Sequence, residues 1–65
     1  MFQENLIRLV SERKITWYRL AVDADIDHSL LFRYRKGETK PRTDNLIKLA
    51  NALNCSVGEL LEVKQ

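Results

Sequence analysis

The sequence predicts an all-α fold, a compact domain of five short helices, on three observations. Apolar residues recur at spacings of three and four through successive segments, the period that gathers side chains on one face of a helix. The segments after the first are bounded by residues that start or stop helices: Thr16, Asp27, Gly37, Asn54 and Ser56. With two glycines and one proline in 65 residues, the chain lacks the punctuation of a turn-rich β fold or of disorder.

The first helix is expected over Glu4 to Arg13, where Leu6, Ile7, Leu9 and Val10 form the apolar face and Glu4, Arg8, Glu12 and Arg13 the polar one. Lys14 and Ile15 lead to Thr16, whose hydroxyl can accept from an exposed amide and open a second helix over Trp17 to Asp23. Arg19 stands where a reciprocal capping box would need Glu. Leu20 and Ala21 point inward, and the small Ala21 lets another helix cross closely. Asp25 falls where a tight turn calls for positive φ, which Asp tolerates better than most side chains. Ile26 then enters the core and Asp27 caps a third helix over His28 to Lys36, with Leu31 and Tyr34 inward and Gly37 as its left-handed end. Glu38 to Arg42 is a short polar linker in which Pro41 keeps the preceding residue extended. A fourth helix begins near Thr43, buries Leu46, Leu49, Ala50 and Leu53, and ends at Asn54 in the left-handed conformation. Ser56 and Glu59 make a capping box for a fifth helix over Val57 to Glu62 that buries Val57, Leu60 and Leu61.

Residues 1–65 are read as one domain, at the size where a single core barely suffices without disulfides or metal. Composition is ordinary for a globular chain, 45% hydrophobic and 31% charged. The net charge of +2 is small, but its distribution is uneven. Arg33, Arg35, Lys36, Lys40 and Arg42 face only Glu38 in that stretch, whereas Asp23, Asp25 and Asp27 precede it with no base among them. Cys55 is alone, so it makes no internal disulfide or zinc site, which suits a reducing compartment. The opening MFQENLIRLV has neither a basic start nor a long apolar run, and no stretch approaches the ~20 apolar residues of a membrane helix. A cytoplasmic protein is expected, and a nonenzymatic one, because no nucleophile and base, Gly-rich phosphate loop or metal-ligand cluster is present. No cofactor is expected. Tyr18, Tyr34 and Trp17 are assigned to core and rim packing rather than to a stacking platform for single strands.

Ile15, Thr16, Leu20, Ala21, Ile26, Leu31, Gly37 and Pro41, followed by LIKLANALNCSVGELL from Leu46 to Leu61, resemble the helix-turn-helix class of phage repressor and Cro proteins and their Xre-like bacterial relatives. The resemblance spans nearly the whole chain. It implies a lambda-repressor-like five-helix domain of prokaryotic or phage origin, whose third helix enters the major groove of double-stranded DNA while the second crosses the backbone. His28, Ser29 and Arg33 match base-reading positions, and Phe32 lies on the same face. Arg33 can give two parallel donors to guanine, Ser29 and His28 can donate or accept, and Phe32 can lie against a thymine methyl. Thr16 and Trp17 at the start of the second helix, with Lys36, Thr39, Lys40 and Arg42 after the third, match phosphate-contacting positions.

The chain also departs from that pattern. The family often pairs an Arg in the first helix with a Glu near the end of the third; Val10 and Arg35 stand there instead. Changing both leaves no stranded buried charge. Arg35 should turn outward or find another acid, and it suits the negative end of the third helix. Trp17 replaces a small polar residue, and its indole N–H can donate to a phosphate or its ring can simply pack. Asp27 brings a carboxylate to where a phosphate would approach. The reading is a transcriptional regulator, a repressor, that binds as a homodimer to an operator with two half-sites, with Val57, Leu61 and Val63 at the dimer surface. The competing reading is a protein-interaction module, an antitoxin or accessory subunit, with Trp17, Leu30 and Phe32 as its apolar patch.

Overall fold

A computed structural model describes residues 2–62. It contains α1 (Phe2–Arg13), α2 (Trp17–Ala24), α3 (His28–Lys36), α4 (Thr43–Ala52) and α5 (Val57–Leu61), with no strand among the described residues. Val63, one of the three dimer candidates, lies outside the described residues.

The elements arise where the local chemistry dictates. The Thr16 hydroxyl accepts the Arg19 amide at 3.0 Å, the Asp27 carboxylate accepts the Ser29 amide at 3.0 Å, and the Ser56 hydroxyl accepts the Glu59 amide at 3.1 Å. Each satisfies one of the amides that a helix start leaves without an internal partner. Asp25 at φ 54°, Gly37 at φ 77° and Asn54 at φ 54° adopt the left-handed conformation expected of them. So does Lys14 at φ 55°, closing α1 with its amide donating to Ser11 O. Lysine carries no signal for that conformation, so residue type alone does not announce it.

One leucine or more from every helix fills the centre: Leu6 and Leu9 from α1, Leu20 from α2, Leu31 from α3, Leu49 from α4 and Leu60 from α5, with Leu53 just after α4. Burying each removes apolar surface from water, worth ~1.5–3 kcal/mol per side chain. Ala21, Ala24 and Ile26 bring the α2–α3 corner into the same core. α2 packs on α3 and α4, while α1 packs on α3 and α5, so α3 is held from two sides.

Three expectations change. The apolar stripe of α1 begins at Phe2 and runs through Leu6, Leu9 and Val10, which leaves Ile7 42% exposed on its flank. A helix starting two residues earlier moves the centre of the stripe, and Ile7 falls outside it. Leu61, expected to be buried by the fifth helix, is 48% exposed, because a single turn presents only Leu60 fully and Val57 partly to the core. Tyr18, assigned to packing, is 67% exposed.

α1 also does something no periodicity announces. Gln3 Nε2 donates to Arg35 O at 2.9 Å at the end of α3, and Arg13 Nε donates to Leu53 O at 2.8 Å at the end of α4. Asn5 Nδ2 donates to Leu60 O at 2.9 Å and Glu62 O at 2.8 Å at the end of α5. One helix thus supplies donors to the terminal carbonyls of three others, groups that have no partner within their own helices.

Candidate nucleic-acid interface

α3 is fixed by its inner face and both ends. Leu31 and Tyr34 are buried, the Phe2 ring meets the Tyr34 ring edge-on at 6.0 Å, and Asn45 Nδ2 donates to the Tyr34 hydroxyl at 2.9 Å. Asp27 caps the start, and Gly37 with Gln3 closes the end. The outer face is therefore presented by a helix that cannot easily rotate.

On that face His28, Ser29, Phe32, Arg33 and Lys36 line one open groove. These are the four residues expected to meet bases together with one expected to meet phosphate. All five are exposed, with Phe32 half in solvent. His28 and Phe32 also belong to a neighbouring apolar cleft with Trp17, Tyr18 and Leu31. There the Tyr18 and His28 rings are tilted against each other, centroids 4.7 Å apart. Sequence reasoning gave Tyr18 no place at the interface. Its residue type was visible, but its partner lies across the turn, and only the α2–α3 angle brings the two together.

The other expected phosphate contacts lie outside the set of residues that lines this groove. Thr16 is exposed and its oxygen already accepts the Arg19 amide, leaving its own O–H to donate. Trp17 is half-buried, with its ring packed on the core. Lys40 and Arg42 are exposed, and Arg42 occupies the residue before α4 without a side-chain cap bond. Thr39 and Lys40 line a separate recess with Phe2, Gln3, Glu4, Gly37 and Leu61. Of the apolar patch, Trp17 and Leu30 are turned partly into the core, and Phe32 alone is exposed.

The electrostatics are one-sided. The last turn of α3 carries Arg33, Arg35 and Lys36 at the negative end of the helix dipole, a favourable placement. Glu38 answers part of this charge, 3.9 Å from Arg33 Nε and 3.8 Å from Lys36 Nζ. Both pairs are more than half exposed, so they hold little energy and yield readily to a phosphate or a base edge. Asp27 is engaged by the Ser29 amide, which directs its carboxylate to the helix start. Val10 is buried in the core, and Arg35 lies against the rings of Trp17 and Phe32, so the replaced ion pair leaves an apolar contact on one side and an outward cation on the other. Among the described residues no three His, Cys, Asp or Glu side chains come together to hold a metal ion, and no helix is long and apolar enough to cross a membrane.

Comparison with known proteins fits this arrangement. Residues 5–65 match the family of Cro/C1-type helix-turn-helix DNA-binding domains. The fold is similar to the crystal structure of a transcriptional regulator from Listeria innocua, with a TM-score of 0.80 and 33% sequence identity over the whole of this chain. The chain spans 62% of the length of that protein. No curated protein matches the sequence.

Proposed function

The chain belongs to the Cro/C1-type helix-turn-helix DNA-binding family, and on that basis we propose that it is a sequence-specific transcriptional regulator of double-stranded DNA, acting as a repressor by occupying a promoter. The observation that carries this reading is the outer face of α3, where His28, Ser29, Phe32, Arg33 and Lys36 line one groove while Leu31 and Tyr34 anchor the opposite side. α3 enters the major groove. Arg33 donates to the O6 and N7 of a guanine, Ser29 and His28 contact base edges, and Phe32 lies against a thymine methyl. Thr16, Trp17, Lys36, Thr39, Lys40 and Arg42 contact phosphates and fix the register without reading sequence.

A homodimer completes the reading. The long dimension of the chain is 31 Å, so one copy carries one recognition helix to one half-site, and a second copy serves the next, ~34–36 Å away. Val57, Leu61 and Val63 form the contact between copies. The half-buried Val57 and exposed Leu61 are consistent with it. The rival reading, a protein-interaction module built on Trp17, Leu30 and Phe32, draws less support because two of its three side chains pack on the core.

Chemical-shift titration with short duplexes tests the proposal: resonances of α3 should move at low salt. Unchanged α3 resonances, or movement only with a protein partner, would exclude it. Arg33→Ala should then relax preference at one base pair by ~1–3 kcal/mol. Lys40→Ala should weaken every sequence alike and reduce the salt slope by about one unit. Equal loss on all sequences from both variants would remove Arg33 as a base reader.

A further inference from the structure

The Arg35 side chain has no part in the DNA contacts proposed above, yet its surroundings are specific. Its guanidinium carbon lies 4.9 Å from the centre of the Trp17 ring and 5.6 Å from that of Phe32, and Lys36 Nζ lies 5.3 Å from the same Phe32 ring. Arg35 therefore bridges the first residue of α2 to the middle of α3, one turn along from Phe32. Arg33 and Lys36 both face Glu38, whereas among the described residues no carboxylate lies within ion-pair distance of Arg35. The first turn of α2 contains no acid either.

Contact with an aromatic ring engages the guanidinium through attraction to the ring quadrupole and leaves N–H donors in the guanidinium plane for another partner. A planar fork whose side chain is exposed and held by two rings is prepared for two parallel bonds to a phosphate. Phe32 also lines the groove of His28, Ser29, Arg33 and Lys36, which sets this bridge on the rim of the recognition face. We propose that Arg35, held by Trp17 and Phe32, clasps a DNA phosphate and so fixes the angle at which α3 enters the groove. The inference rests on the DNA-binding reading above. It gives Trp17 a second purpose, as one wall of the clasp, and gives Phe32 a duty toward Arg35 as well as toward a base.

The test measures affinity against salt for wild type, Arg35→Gln and Arg35→Lys, using one labelled duplex selected from a random pool and one of scrambled sequence. Arg35→Gln should lower the salt slope by about 0.9 on both duplexes and weaken binding about eightfold at 0.1 M salt relative to extrapolation at 1 M. Arg35→Lys, which keeps the charge but loses the planar fork, should retain the slope and bind several-fold more weakly. A slope unchanged by Arg35→Gln, with or without a lower melting temperature, would make Arg35 only a bridge between helices and overturn the proposal. Wild-type slope and affinity in Arg35→Lys would overturn the part assigned to the fork. If the wild type itself bound neither duplex at low salt, the DNA-binding reading would fall, and this inference with it.

Discussion

Gly37 ends α3 at φ 77°, and a Cβ built there would lie 2.7 Å from Gln3 Oε1 and 2.9 Å from Gln3 Cδ. Two costs therefore meet at one atom: a left-handed backbone that other residues adopt at ~1–2 kcal/mol, and displacement of the side chain that donates to Arg35 O. Gly37→Ala should lower stability by ~1–3 kcal/mol in urea denaturation. In Gln3→Ala the same substitution should cost less, since the clash is already relieved, and strict additivity would show that the two residues do not communicate. Lys14 presents the reverse case. Its φ of 55° already strains a residue with a Cβ, so Lys14→Gly should stabilise by ~0.5–1 kcal/mol, read from the same denaturation midpoint. Cys55 titrates in a setting that opposes its anion: burial pushes the thiol pKa up, Glu59 adds to the rise, and Arg13 and Arg8 oppose it. The folded protein thus prefers the protonated thiol. This contribution to stability is present below the ordinary thiol pKa and fades as pH rises through the raised one. Alkylation at neutral pH should be slower in the folded protein than in the denatured chain, and equal rates would show that the site gives no protection.

At the scale of elements, α1 serves as a strut for the ends of its neighbours. Asn5 is a buried polar side chain of this core, 3% exposed, and its amide reaches two carbonyls at the end of α5, Leu60 O within the helix and Glu62 O just after it. Removing it leaves the buried Leu60 carbonyl without that bond, which costs about 1–3 kcal/mol for an unsatisfied group, while the part-buried Glu62 carbonyl can turn to water. Asn5→Ala should accordingly lose ~1–3 kcal/mol. Hydrogen exchange should quicken first in α5; protection falling uniformly across all helices would show instead that α5 does not open separately. The arrangement bears on binding as well, because Gln3 performs the same service for α3. The donors of α1 thereby help set the orientation of α3 through its C-terminal end.

For the whole molecule the margin is small. At ~0.05–0.15 kcal/mol per residue, a chain of 65 residues has ~3–10 kcal/mol of stability. Leu49 is fully buried, and Leu49→Ala should remove ~2–5 kcal/mol, enough to populate the unfolded state measurably at ambient temperature. A duplex that binds only the folded form should restore ~2.7 kcal/mol at a free concentration one hundred times Kd. Calorimetry with and without the selected duplex checks this. A melting temperature insensitive to saturating duplex would contradict coupling between folding and DNA binding. The outer face of α3 was legible in advance as a set of residues because helical periodicity assigns His28, Ser29, Phe32 and Arg33 to the side opposite Leu31 and Tyr34. Tyr18 and Arg35 were not legible there. Their places depend on how α2 crosses α3, and nothing in their immediate sequence encodes that angle.

What the sequence by itself determined is local. Thr16, Asp27 and Ser56 start helices by bonds that close within three residues, and Asp25, Gly37 and Asn54 stop them by tolerating a positive φ. The leucine stripes then leave one compact way to share a core. Only the tertiary structure decided which side chains join the helices: Gln3, Asn5 and Arg13 reach carbonyls 32 to 57 residues away. Long polar side chains have many rotamers of similar energy, and the carbonyl that selects one exists in place only after the helices have packed. Arg35 follows the same rule in part: Phe32 stands one turn back in its own helix, but the Trp17 ring belongs to α2 and comes into place only when the two helices pack.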